Sequence, residues 1–157
     1  MYVGKFTNTH GIKGEIKIQS DLDHKEEIFK KGNILTIASK SFEIVSYRVH
    51  KGYDMVTFKD INNINDIIMY KGKSVFIDRS TLSENVTFLS DLIDVPVYLN
   101  DECIGLVTDY ENGANPLLIC NINNKKVLIP LLGDFIIEKN KNKVIVNEKV
   151  KELFIWK

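Results

Sequence analysis

Thr9-His10-Gly11-Ile12-Lys13-Gly14-Glu15-Ile16-Lys17-Ile18 is the stretch on which the fold reading turns. Its first half is a turn, because two glycines three positions apart permit backbone angles that other residues avoid. Its second half alternates, with Ile16 and Ile18 set between Glu15, Lys17 and Gln19, the period-two pattern of a half-buried strand. A strand, a glycine turn and a second strand therefore open the chain. The same pattern recurs in Asn33–Ala38, Phe42–His50 and Tyr53–Phe58, all rich in β-branched and aromatic residues, and Lys73–Ile77 adds another strand. Lys51-Gly52 marks a tight turn. Two helical pieces interrupt the strands. His24–Lys31 stops at Gly32, and Asn63–Tyr70 starts on a capping Asn and stops before Gly72.

Residues 81–87 are polar and aperiodic, and read as a linker between a domain at 1–80 and a second at 88–157. The second domain repeats the strand pattern at Val97–Leu99, Ile104–Tyr110, Leu117–Ile122, Lys126–Ile129, Phe135–Glu138 and Lys143–Val146. Its turns are rich in Asn, Asp and Gly, which tolerate positive φ or cap turns through their side chains. A short terminal helix is expected over Asn147–Trp156, with Val150, Leu153 and Phe154 on one face. Many short strands on both sides of a linker define a mostly β protein of two small barrels with short helices.

Composition narrows the function. The 157 residues are 44% hydrophobic and 27% charged, ordinary for a globular protein. No run approaches the roughly 18 apolar residues of a membrane span, and Met1–Lys5 lead directly into a strand pattern, so a cytoplasmic location without membrane contact is expected. Net charge is zero, but residues 1–80 carry thirteen Lys or Arg against ten Asp or Glu, and residues 81–157 carry eight against eleven. A basic partner suits the second half. Cys103 and Cys120 have no neighbouring ligands at zinc spacing and read as free thiols buried in strands, with no metal or other cofactor. A monomer is expected, since no heptad pattern appears.

Catalytic motifs are missing: there is no phosphate-binding glycine loop and no nucleophile elbow. His10, His24 and His50 are scattered and form no sequence-local constellation of carboxylate and nucleophile. Two segments are candidates for binding. In the first, His10 and Lys13 flank Gly11 and Gly14, with Lys5 and Lys17 near in sequence. This is either a phosphate-facing surface of Lys charge and exposed backbone amides, or a hairpin whose glycines only satisfy geometry. In the second, Gly113-Ala114-Asn115-Pro116 is either a plain turn or a docking edge. Phe42, Tyr47, Tyr53 and Phe58 could stack bases, but in alternating strands more than half should be core. Trp156 either pins the last helix or faces a partner.

These same segments carry a resemblance. Val3-Gly4-Lys5 with Thr9–Ile18, then Gly113-Ala114-Asn115-Pro116-Leu117-Leu118-Ile119, Leu128-Ile129-Pro130 and Phe135-Ile136 resemble, in order and nearly from end to end, the RimM family of ribosome maturation factors. The resemblance implies a six-stranded N-terminal barrel similar to those of translation factors, followed by a PRC-type barrel. It implies a non-catalytic factor that binds the immature small (30S) subunit through the head protein number nineteen and assists folding of the 16S rRNA 3′ domain. On this reading the candidate partner-binding residues are His10, Gly11, Lys13, Gly14, Phe88, Gly113, Ala114, Asn115 and Pro116. One departure stands at Thr87-Phe88, where members of the family often have two aromatic residues before the Asp-Leu matched here by Asp91-Leu92. The competing readings are an enzyme acting on RNA or a small molecule, and a PRC-type scaffold.

Overall fold

The structure is a computed structural model and describes residues 1–154, so Trp156 lies outside the described residues. Two compact units follow one another, Met1–Val86 and Thr87–Lys157.

Six strands build the first unit: β1 (Tyr2–His10), β2 (Glu15–Gln19), β3 (Ile34–Ile37), β4 (Lys40–His50), β5 (Tyr53–Phe58) and β6 (Ser74–Ile77). They close into a barrel in the order β1-β2-β5-β4-β3-β6. Closure leaves no strand edge unpaired, the surest way for a small sheet to avoid edge-to-edge association. Alternation sends Val3, Phe6, Ile16, Ile18, Leu35, Ile37, Ile44, Val56, Phe58, Val75 and Ile77 inward, all buried. Strand β1 must pair with β2 on one side and β6 on the other, and its register shifts on both sides, between Phe6 and Asn8 and between Tyr2 and Gly4. At Gly4 the backbones come so close that an added Cβ would lie 2.1 Å from the Gln19 carbonyl oxygen.

The first helical piece is shorter than the sequence suggests. Helix α1 covers only Lys25–Ile28, because the Asn33 side chain donates to the carbonyls of Glu27 (2.8 Å) and Ile28 (3.0 Å) and ends it. Asn63–Tyr70 forms two 3-10 turns, Ile64–Asp66 and Ile68–Tyr70, broken at Ile67 where φ is −131°. Asn63 does cap the first, accepting from the Asn65 amide at 2.8 Å. One charged side chain is buried among the described residues, Asp54. It accepts from the Tyr47 hydroxyl at 2.7 Å and pairs with Lys25 Nζ at 2.8 Å, while Tyr47 stacks on Phe29 with centroids 4.9 Å apart. The linker stretch has its own order. Arg79–Thr81 form a 3-10 turn capped by Asp78, the Arg79 guanidinium donates to the Val86 carbonyl at 3.0 Å, and Leu82 is buried.

The second unit is a six-stranded half-barrel of β7 (Pro96–Leu99), β8 (Glu102–Glu111), β9 (Leu117–Ile122), β10 (Lys125–Pro130), β11 (Ile136–Lys139) and β12 (Val144–Val146). The order is β10-β9-β8-β7-β12-β11, antiparallel except for the parallel pair β7–β12. The edges are β10, which ends on Pro130, and the four-residue β11 with Glu138 and Lys139; proline, charge and shortness all discourage pairing with another strand. Val97, Val107, Leu118, Cys120, Val127, Ile129, Val144 and Val146 fill the core, joined by Val150 and, partly buried, Leu153 and Phe154 from the terminal 3-10 helix Glu148–Phe154. The expected apolar face of that segment is thus the one that packs. Of the two thiols, Cys120 is buried, and burial pushes it up to about 12, but Cys103 is exposed, contrary to the expectation from its strand. No described helix is long and apolar enough to cross a membrane.

Gly105 repeats the Gly4 device, with an added Cβ 2.0 Å from the Asn121 carbonyl oxygen, whereas one at Gly113 would meet nothing within 4 Å. Gly4→Ala and Gly105→Ala should each destabilise the chain by about 1–3 kcal/mol, as overpacking against backbone does. Gly113→Ala should stay within about 0.5 kcal/mol of wild type. Thermal or urea unfolding of the three variants checks this.

Candidate functional site

The turn between β1 and β2 is held from outside by the 61–64 segment. The Ile64 amide donates to the Ile12 carbonyl at 2.9 Å, and a Cβ on Gly14 would sit 2.8 Å from the Ile61 Cγ2. Gly14 is therefore required twice, by this approach and by its φ of +94°, while Gly11 is required only by its φ of +72°. Lys13 is exposed at the tip, and Ile12 beside it is 77% exposed, a large apolar side chain left in solvent.

His10, the last residue of β1, lies against His50, the last residue of β4; their rings meet edge to face with centroids 5.4 Å apart. His50 pairs in register with Tyr53, and Lys17 Nζ stands 5.4 Å from the Tyr53 ring centroid, within cation–π range. Arg48 makes a two-pronged contact with Glu15, Nε to Oε2 at 2.9 Å and Nη2 to Oε1 at 2.8 Å. Between them in register Met55 is fully buried, flanked by Lys17 on β2 and Arg48 on β4. Such stems can cover apolar surface while their charged heads stay in water.

The electrostatics follow from this arrangement. The Arg48 guanidinium holds the Glu15 carboxyl below the usual carboxylate range, and burial opposes it. His50 is pushed below the ordinary histidine value by desolvation first, then by the positive charge of Arg48, His10, Lys51 and Lys17. The patch thus concentrates cations around one carboxylate that Arg48 already occupies.

Sequence reasoning found His10, Gly11, Lys13 and Gly14, but not that Arg48 and His50 join them. Forty positions separate His10 from His50, and only the barrel's closure brings their rings together. Of the four aromatics considered for stacking, Phe58 is core, Tyr47 stacks on Phe29, and Phe42 packs on Phe58 and Tyr70 at 5.1 and 5.6 Å. Tyr53 remains exposed.

In the second unit Gly113, Ala114 and Asn115 are exposed between β8 and β9. The Pro116 carbonyl accepts from the Leu131 amide at 2.9 Å, which ties this loop to the one that follows β10. That neighbour carries Leu132, 62% exposed, and Asp134, whose carboxylate meets Lys149 Nζ at 2.7 Å and whose carbonyl accepts from the Asn147 side chain. Leu132 was missed because nothing in sequence sets it apart from Leu131 beside it, which packs partly against the core. Phe88 is corrected in the other direction. Its ring is fully buried, and its amide donates to Asp91 Oδ2 at 2.9 Å, so it supports the 3-10 turn Leu89–Leu92 and offers no surface to a partner.

A closed barrel followed by a half-barrel, with the first unit's cationic patch on its strands and the second unit's exposed groups on its loops, makes a two-module β protein. No group of three or more His, Cys, Asp or Glu that could hold a metal occurs among the described residues. Residues 1–82 match the model of the RimM N-terminal domain. The chain is 40% identical over 146 residues to the ribosome maturation factor RimM of Staphylococcus haemolyticus, covering 87% of each. It is 40% identical over 155 residues, 92% of each, to the protein of the same name from Staphylococcus aureus strain JH9. The crystal structure of a 16S ribosomal RNA processing protein RimM from Pseudomonas aeruginosa aligns over 94% of this chain and 96% of its own, at 19% identity and a TM-score of 0.48, too loose a superposition to carry an argument. The chain belongs to the RimM family of ribosome maturation factors, and no enzyme family is indicated.

The Glu15–Arg48 contact sets a pH dependence. A carboxyl whose folded value is lowered contributes stability that is complete above its unfolded value, near 4.5, and fades as pH falls through the folded one. Arg48→Ala should therefore melt below wild type at neutral pH, and the two curves should converge in acid as pH falls through the lowered value of Glu15. Melting temperatures across that range give the answer; a gap that persists in acid would mean Arg48 acts by packing alone.

Proposed function

We propose that this protein is a non-catalytic assembly factor that works in the cytoplasm on the immature small ribosomal subunit. It would dock on the head protein number nineteen and favour the folded 3′ domain of 16S rRNA. The observation that carries the reading is 40% identity, sustained over 87–92% of the chain, to proteins named ribosome maturation factors. Assistance of this kind needs no reaction. A factor that binds one assembly intermediate better than its competitors shifts the population toward it by that difference in affinity.

The two units suit different halves of the task. The acidic balance of residues 81–157 favours a basic ribosomal protein, and complementary charge raises the rate of encounter. Gly113–Pro116 and Leu132 supply the contact edge on the second unit, with Leu132 as apolar anchor. Phe88 supports that unit from within. His10, Lys13 and their glycines face RNA phosphate on the first unit.

Sucrose-gradient fractionation of cell extract tests the reading. The protein should sediment with free small subunits and their precursors and be missing from translating ribosomes. Leu132→Asp should move most of it to the top of the gradient without lowering its melting temperature. Wild-type protein found only at the top would defeat the proposal.

A further inference from the structure

The patch around His10 and His50 has a property that assembly binding alone does not require. Two imidazoles touch edge to face at 5.4 Å, and the charged groups around them are Glu15 and Lys17 from β2, Arg48 from β4, and Lys51 in the turn. Glu15 is the one anion among these, and Arg48 engages both of its oxygens. The remaining cations, Lys17 and Lys51, have no carboxylate of the patch left to them. Beside His50 in register stands the exposed Tyr53, with Lys17 over its ring. Cations next to an exposed aromatic form the combination that binds single-stranded nucleic acid: charge takes the backbone, and the ring takes a base. A duplex keeps its base faces inside, so an aromatic platform selects unpaired RNA.

We propose that this face of the first barrel is a proton-linked site for single-stranded RNA, with a phosphodiester held against His10, His50 and Lys51 and a base stacked on Tyr53. The inference rests on the assembly reading for the source of the RNA and deepens it by naming the ligand. The linkage follows from electrostatics. In the free protein desolvation first, and then the neighbouring cations, disfavour the charged form of His50. A phosphate placed among those cations offsets their field and favours the charged imidazole, so binding takes up a proton. Affinity is then level below the free protein's histidine value and falls as pH rises from there to the value in the complex. An acidic peptide would meet the same cations but has no planar base for Tyr53.

The test uses the full chain and a fluorescein-labelled single-stranded RNA of about ten nucleotides at fixed ionic strength. From pH 7.5 to pH 6 affinity should rise by about tenfold, within the roughly thirtyfold ceiling that one linked proton sets over that range. His50→Gln should flatten this dependence. His50→Lys, with its permanent charge, should hold the tight value at both pH values, an outcome that a merely structural role would not give. Tyr53→Ala should weaken binding by about tenfold, as loss of one stacked base does. Imidazole NMR signals of His10 and His50 should shift on adding RNA. Affinity independent of pH, or imidazole signals unmoved by bound RNA, would overturn the proposal. So would inorganic phosphate or a polyglutamate peptide that displaces RNA as well as unlabelled RNA does. Gradient sedimentation separates this from the broader reading. Co-sedimentation with precursors while the oligonucleotide results fail leaves the assembly role standing and removes the site. RNA binding with the predicted pH dependence but no co-sedimentation does the reverse.

Discussion

Strand β1 must hydrogen bond to two neighbours at once, and the geometry of the first unit depends on whether it can. Pairing with β2 on one side and β6 on the other closes the barrel, but it presses the β1 backbone onto the Gln19–Ser20 segment. A side chain at residue 4 would collide with main chain rather than with a movable group, so the barrel closes only through the missing Cβ of Gly4. The second unit meets the same constraint where β8 runs between β7 and β9, and answers it with Gly105 against Asn121. There the sheet stays open, and its edges are protected by Pro130 and by a short, charged β11.

Closure also explains why the cationic patch exists. Residues 10, 15, 17, 48, 50 and 53 lie on four strands that are distant in sequence and adjacent only in the ring β1-β2-β5-β4. Outward positions on a barrel normally stay wet, yet Met55 between Lys17 and Arg48 is fully buried. Long basic side chains therefore have a structural reason to be on this face as well as an electrostatic one. The inward side has a comparable compromise at Asp54, a carboxylate in an otherwise apolar barrel. Lone burial of such a charge would be costly; Lys25 and Tyr47 offset it and in doing so anchor helix α1.

What the sequence makes legible is whatever has a short period or a local cap. Alternation located the strands to within a few residues, and Asn63 does cap its turn. The length of α1 was hidden because the group that ends it, the Asn33 side chain, comes from beyond the expected helix. Cys103 and Phe88 were misjudged for the same reason from opposite sides. Exposure depends on what lies across the sheet or under a turn, and a chain read one residue at a time does not show that. The His10 turn was visible as a motif, but its partners His50 and Arg48 were not, since a pairing register linking β2, β5 and β4 has no one-dimensional signature.

The distribution of exposed chemistry bears on how the proposed assembly role would work. In the first unit the patch offers cations, imidazoles and an aromatic ring, suited to phosphate and base. In the second, Leu132 and the Gly113–Pro116 loop offer an exposed leucine and a polar turn on an acidic background, suited to a basic protein surface. Joining two modest contacts in one chain raises overall affinity by effective concentration when both sites are engaged together. On the proposed reading it would also confer selectivity, because a precursor offering only one of the two surfaces would be bound weakly. A factor built this way would be released when maturation covers either surface, with no chemical step required.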